Sequence, residues 1–244
     1  MKTKIQLTLI FIPMLILAGF IVWGTHPLPA QAEALIAMRS TSTVSVYQDH
    51  LGYIFMPSNK IKEIGVIFYP GGHVDPRAYA PILRNISNNG YPVILVSMPL
   101  NLALLGKDKA NEVIKNYPEI RSWVLVGHSL GGAMAAQYAD QHIDQLSGLV
   151  LMASYPPKNT RLQNSQIKVL SIYGELDGIT TLDEIDQSRQ SLPNDSIFQQ
   201  INGGNHAQFG SYGWQNGDLT AEILAAEQQD IASTAVLNFL NLIQ

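Results

Sequence analysis

Trp123-Val-Leu-Val-Gly127-His128-Ser129-Leu130-Gly131-Gly132 is the stretch that decides the fold. Its first half is a short apolar run, the pattern of a buried strand. From Ser129 to about Asp140 the chain reads as a helix. Gly-x-Ser-x-Gly directly between a strand and a helix demands a very sharp turn. Such a turn lifts Ser129 Oγ clear of the strand and points the Leu130 N–H into the same space. Gly127 and Gly131 supply the room, because side chains there would collide with neighbouring backbone. Gly132 and Ala133 continue the small surface where the helix meets the strand.

Outward from this turn, strand patterns alternate with helical ones. Val44–Tyr47 and Tyr53–Met56 read as a hairpin around Asp49-His-Leu-Gly52. Ile64–Tyr69 is a buried strand. A helix follows, capped by Asp75 with Pro76 in its first turn. Tyr79, Ile82, Leu83 and Ile86 share one face of it, and Asn89-Gly90 ends it. Pro92–Val96 is a strand, and Ala110, Val113, Ile114 and Tyr117 mark a further helix. Leu149–Met152 and Ile167–Ile172 are strands. A helix near Leu182–Ser191, a strand near Ile197–Ile201 and a helix from about Thr220 to Leu242 complete the chain. This alternation predicts an α/β fold with a mainly parallel central sheet flanked by helices.

With the elbow in this context, the sequence resembles the α/β-hydrolase superfamily, over roughly residues 43–242, and in particular its small capless bacterial serine hydrolases. The resemblance implies Ser129 as nucleophile, with an acid and a histidine following in chain order. Ile172-Tyr-Gly-Glu-Leu-Asp177-Gly178 looks like the family's acid turn and points to Asp177, with Glu175 as the alternative. Gly203-Gly-Asn-His206 precedes the last helix, where the family places its base. His26, His50, His128 and His142 are read as structural. An oxyanion hole needs two N–H donors. Leu130 is one. Tyr69-Pro-Gly-Gly72-His73 departs from the family's HGGG pattern and offers Gly72, with His73 as the rival. Residues 152–164 are too short for a separate lid domain, which implies a shallow, open site. Phe209, Tyr212 and Trp214 are candidates to line it. The implied activity is acyl transfer through Ser129, most simply on carboxylic esters of small or medium acyl groups. A peptidase, a thioesterase or a non-catalytic binding protein of the same fold are the alternatives.

Composition narrows the classes. The 244 residues include no cysteine, which excludes a thiol nucleophile, a disulfide scaffold and cysteine zinc sites. With 15 basic and 19 acidic residues and no basic run, no nucleic-acid partner is expected. No phosphate loop, metal-ligand cluster or dinucleotide fingerprint appears, so no cofactor is expected; the expected partner is a small-molecule acyl substrate. Lys2 and Lys4 precede the apolar run Ile5–Trp23, and no further Lys or Arg follows until Arg39. Residues 5–23 read as an apolar helix able to span a membrane. Ala30-Gln-Ala32 is a cleavage pattern, so residues 1–32 are either a signal anchor or a cleaved signal peptide. Residues 33–42 read as a linker and 43–244 as the α/β-hydrolase domain, placed outside the cytoplasm by the positive-inside rule.

Overall fold

Apolar runs buried on both faces build the middle of the central sheet. A computed structural model of the chain describes residues 2–243, with side chains from Pro13 onward. The eight strands are β1 (Val44–Gln48), β2 (Gly52–Pro57), β3 (Ile64–Tyr69), β4 (Val93–Val96), β5 (Ser122–His128), β6 (Gly148–Met152), β7 (Lys168–Gly174) and β8 (Ile197–Ile201). Their order is β1-β2-β4-β3-β5-β6-β7-β8. The β1–β2 and β2–β4 pairs are antiparallel. Every pairing from β4 through β8 is parallel. The hairpin turns where Asp49 Oδ1 accepts the N–H groups of Leu51 and Gly52.

Side-chain alternation along the strands divides the core between the two faces of the sheet. Val66, Phe68, Val124, Val126 and Val150 face α3 (Ala80–Asn88) and α7 (Ala225–Leu242). Ile67, Tyr69, Leu125, Leu149 and Leu151 face α4 (Lys109–Asn116) and α5 (Leu130–Gln141). Gly131, Gly132, Ala135, Ala136 and Ala139 are all buried in α5, whose small residues let its axis lie close to the sheet. The Asp75 cap forms as expected, but Pro76–Tyr79 is a 3₁₀ turn leading into α3. The remaining helix of the domain, α6 (Leu182–Ser188), starts with a capping box between Thr181 and Glu184. Helix α7 begins at Ala225, later than Thr220, because Glu222 N–H is bonded to Gly203 O in the preceding loop.

The N-terminal region forms α1 (Lys2–Gly24) and α2 (Ala32–Ala37). Among the described residues no helix is long and apolar enough to cross a membrane. Residues 5–12 of the expected span lie outside the residues whose side chains are described. The stretch read as a linker instead carries α2, with Ala34 fully buried. The cleavage pattern is packed on the domain as well. Gln31 N–H donates to Ser211 O, Leu28 forms a bridge with Val74, and Arg84 Nε donates to Ala37 O.

Candidate active site

Parallel strands present their carboxyl ends along one edge, and the loops there carry every candidate residue. Ser129 follows β5, Gly71–His73 follow β3, Asp177 follows β7 and His206 follows β8. Ser129 has φ 52° and ψ −123°, a conformation that non-glycine residues rarely adopt. Strain of this kind costs about 1–3 kcal/mol and persists only where the surroundings enforce it. Here Ser129 N–H donates to Met152 O, and Ser154 Oγ donates to Ser129 O. The flanking glycines are obligatory. A Cβ on Gly127 would stand 2.5 Å from Gly131 O, and one on Gly131 would collide with the Tyr69 and Pro70 carbonyl oxygens.

The acid and the imidazole meet in a buried pair. His206 is fully buried, and its Nδ1 lies 2.9 Å and 3.1 Å from the two carboxylate oxygens of Asp177. Asp177 Oδ1 also accepts the N–H groups of Ile179 and Thr180, which fixes the carboxylate. A carboxylate only accepts, so His206 Nδ1 carries the proton and donates it. Nε2 is left with its lone pair, buried and without a hydrogen-bond partner among the described residues. No hydrogen bond joins it to Ser129 in this state, and such contacts often tighten only when substrate binds. The alternative acid, Glu175, is exposed and accepts Gly203 N–H, bracing the loop before the imidazole.

Two main-chain donors remain for a developing oxyanion. The Leu130 N–H is the first of α5. His73 N–H, the rival to Gly72, is committed to Asn101 O at 2.8 Å. Gly71 N–H is committed to the Tyr79 hydroxyl. Gly72 N–H has no acceptor among the described residues, and a Cβ on Gly72 would stand 2.9 Å from Leu130 Cδ2. A side chain at position 72 would therefore run into Leu130, whose own N–H is the other donor.

A profile of the Alpha/beta hydrolase family matches residues 65–230. The chain belongs to the alpha/beta hydrolase family. No curated protein is similar enough in sequence to match it. Among solved structures it is similar to the esterase domain of a Rhodothermus marinus protein, at 13% identity and a TM-score of 0.57, covering 80% of this chain and 95% of that one. It is also similar to the Paleococcus ferrophilus monoacylglycerol lipase, at 14% identity and a TM-score of 0.60, covering 82% and 100%. A soluble variant of the Saccharomyces cerevisiae monoglyceride lipase, in complex with a substrate analog, matches at 11% identity and a TM-score of 0.60, covering 85% and 97%. At these identities the likeness is one of fold.

Within this alpha/beta hydrolase, the three aromatic candidates separate. Phe209 and Tyr212 do not line an open pocket: both are buried in the core, with their rings 5.7 Å and 6.4 Å from that of His128. Trp214 is 71% exposed on the surface. Residues 153–167 join β6 to β7 with only a 3₁₀ turn at Leu162–Asn164, leaving no room for a lid domain. A cavity of about 650 Å³ lined by Ile143, Ser147 and Lys168 lies at the amino ends of β6 and β7, far from Ser129. Among the described residues no group of three or more His, Asp and Glu could hold a metal.

Two further residues buttress the site. Asp218 accepts the N–H groups of His206 and Ala207 and also that of Gly178, so it joins the His206 loop to the Asp177 turn. Gln228, on α7 and fully buried, clamps both the N–H and the C=O of Asn205. The Gln215-Asn-Gly-Asp218 turn signature was the only local hint of the first, and nothing marked the second.

Proposed function

We propose that the protein is a serine hydrolase that works through an acyl-enzyme on Ser129, most simply a carboxylic ester hydrolase for small or medium acyl groups. The observation that carries this reading is the buried Asp177–His206 pair with its unpartnered Nε2, on the same sheet edge as the strained Ser129. A serine hydroxyl needs an adjacent base to attack a carbonyl. His206 Nε2 takes the Ser129 proton as Oγ bonds to the carbonyl carbon, and returns it to the departing alkoxide. Asp177 holds the imidazole in the Nδ1–H tautomer and stabilises the imidazolium. The oxyanion rests on the Leu130 and Gly72 N–H groups. Water, activated by the same imidazole, then releases the acid.

The esterase and the two lipases among the solved relatives favour an ester over an amide or thioester. Without a lid there is little apolar surface to enclose a long chain. The gain of about 0.8 kcal/mol per buried CH₂ is then only partly realised, which favours short chains. For localisation, Lys2 and Lys4 ahead of the apolar run at 5–23 support a domain outside the cytoplasm, delivered there by a signal anchor or a cleaved signal peptide. The test is a series of acyl esters of graded length with the parent and Ser129→Ala. Turnover that peaks at short or medium chains and disappears in the variant supports the reading; a variant as active as the parent refutes it.

A further inference from the structure

Gly71 and His206 lie on loops that no strand ladder joins. One follows β3 and the other follows β8, and β5, β6 and β7 lie between those strands in the sheet. A continuous run of buried hydrogen bonds crosses that gap. Gly71 N–H donates to the Tyr79 hydroxyl at 3.0 Å. That hydroxyl lies 2.8 Å from His128 Nδ1. His128 Nε2 lies 3.2 Å from the carbonyl oxygen of His206. Tyr79 is fully buried and His128 nearly so.

The two ends of this run fix its direction. An amide N–H only donates, and a carbonyl only accepts. Tyr79 Oη must therefore accept from Gly71 and donate its own proton to His128 Nδ1. His128 must then carry its proton on Nε2 and give it to His206 O. This tautomer is opposite to the one Asp177 imposes on His206. Burial, with the neighbouring His206 ring, holds the His128 pKa well below the usual histidine range, so the ring stays neutral and keeps the lone pair that Tyr79 needs. The groups facing it are His206, Tyr79 and Tyr212, with the Phe209 ring completing the enclosure. Gly71 is part of the same device: a Cβ there would stand 2.6 Å from Tyr79 Oη and 2.8 Å from His128 Nδ1.

We propose that Tyr79 and His128 are positioning residues: their one-way hydrogen-bond chain sets the distance between the oxyanion loop and the base. Neither touches the reacting atoms. The inference rests on the acyl-transfer reading of Ser129 and His206. Its consequence is felt in the transition state, where donors and base must both be in place, and a misplacement of an ångström can cost on the order of 100-fold.

The test uses the full chain with Tyr79→Phe, His128→Phe and the double variant, assayed on one short acyl ester, with thermal melts to confirm folding. Tyr79→Phe is expected to lower kcat about tenfold and His128→Phe further, with KM changed less than twofold. The double variant is expected to match His128→Phe, because residues in one network are not additive. Unchanged kcat in a folded Tyr79→Phe, or effects that multiply in the double variant, would overturn the proposal. An independent reading comes from ¹⁵N spectra of histidine-labelled protein at neutral pH. A proton on His128 Nε2 and a bare Nδ1 are expected, and a proton on Nδ1 overturns the chain. That spectrum does not depend on turnover, so it stands or falls separately from the role of Ser129.

Discussion

Asp218→Ala should weaken both the fold and the chemistry. Its carboxylate accepts His206 N–H at 3.2 Å, Ala207 N–H at 2.8 Å and Gly178 N–H at 3.1 Å. His206 and Ala207 are buried, so water entering from the half-exposed Asp218 side replaces the lost acceptor only in part once the side chain is cut back. Hydrogen bonds to charged groups contribute about 1.5–3 kcal/mol each. Because Asp218 is itself half-exposed, a loss of about 2–4 kcal/mol follows for the set. In a chain of this size that corresponds to a fall in Tm of about 4–16 °C. Thermal melting gives the first number. The second comes from ester turnover well below the melt, where kcat should fall at least about tenfold because the acid turn and the base loop are no longer held together. A Tm within about 1 °C of the parent, together with unchanged kcat, would refute the buttress.

Three further outcomes are expected. Ser129→Gly should abolish turnover yet raise Tm by about 2–4 °C, because glycine accepts the positive φ without strain; a lowered Tm on melting would mean that the elbow is unstrained. Asp177→Asn should lower kcat by orders of magnitude, while Glu175→Gln, which alters only the brace on Gly203 N–H, should cost far less; the reverse ranking in steady-state kinetics would reassign the acid. A chain starting at Glu33 should melt below one starting at Trp23, because it loses the Leu28 bonds with His73 and Asp75 and the Gln31 bond to Ser211; equal melting temperatures would show that this segment is not part of the domain.

The long apolar strands and the elbow could be read from sequence because each rests on local pattern. Ile64–Tyr69 appears in the structure with its expected bounds, and Gly127 is enforced by backbone contacts within its own turn, whereas Gly131 is enforced by the Tyr69 and Pro70 carbonyl oxygens of the neighbouring loop. Asp177 needed the structure to separate it from Glu175, since both carboxylates lie on one turn and only the fold decides which meets His206. Phe209 and Tyr212 were misplaced because an aromatic on a loop beside a base has the same sequence signature whether it faces solvent or the core. The helix at Ala32–Ala37 overlaps the Ala30-Gln-Ala32 cleavage pattern, and its helix-forming composition is as compatible with the end of a signal segment. Asp218 and Gln228 act on main-chain atoms of distant residues, a pairing that no local pattern encodes.

The central claim is that Ser129 Oγ is a nucleophile activated by His206. A fluorophosphonate probe, followed by peptide mapping in the mass spectrometer, tests it most directly. One covalent adduct on Ser129 is expected. It should be absent from Ser129→Ala, and its rate of formation should be greatly slowed in His206→Ala. An unlabelled parent protein, or an adduct on any other residue, would contradict the account.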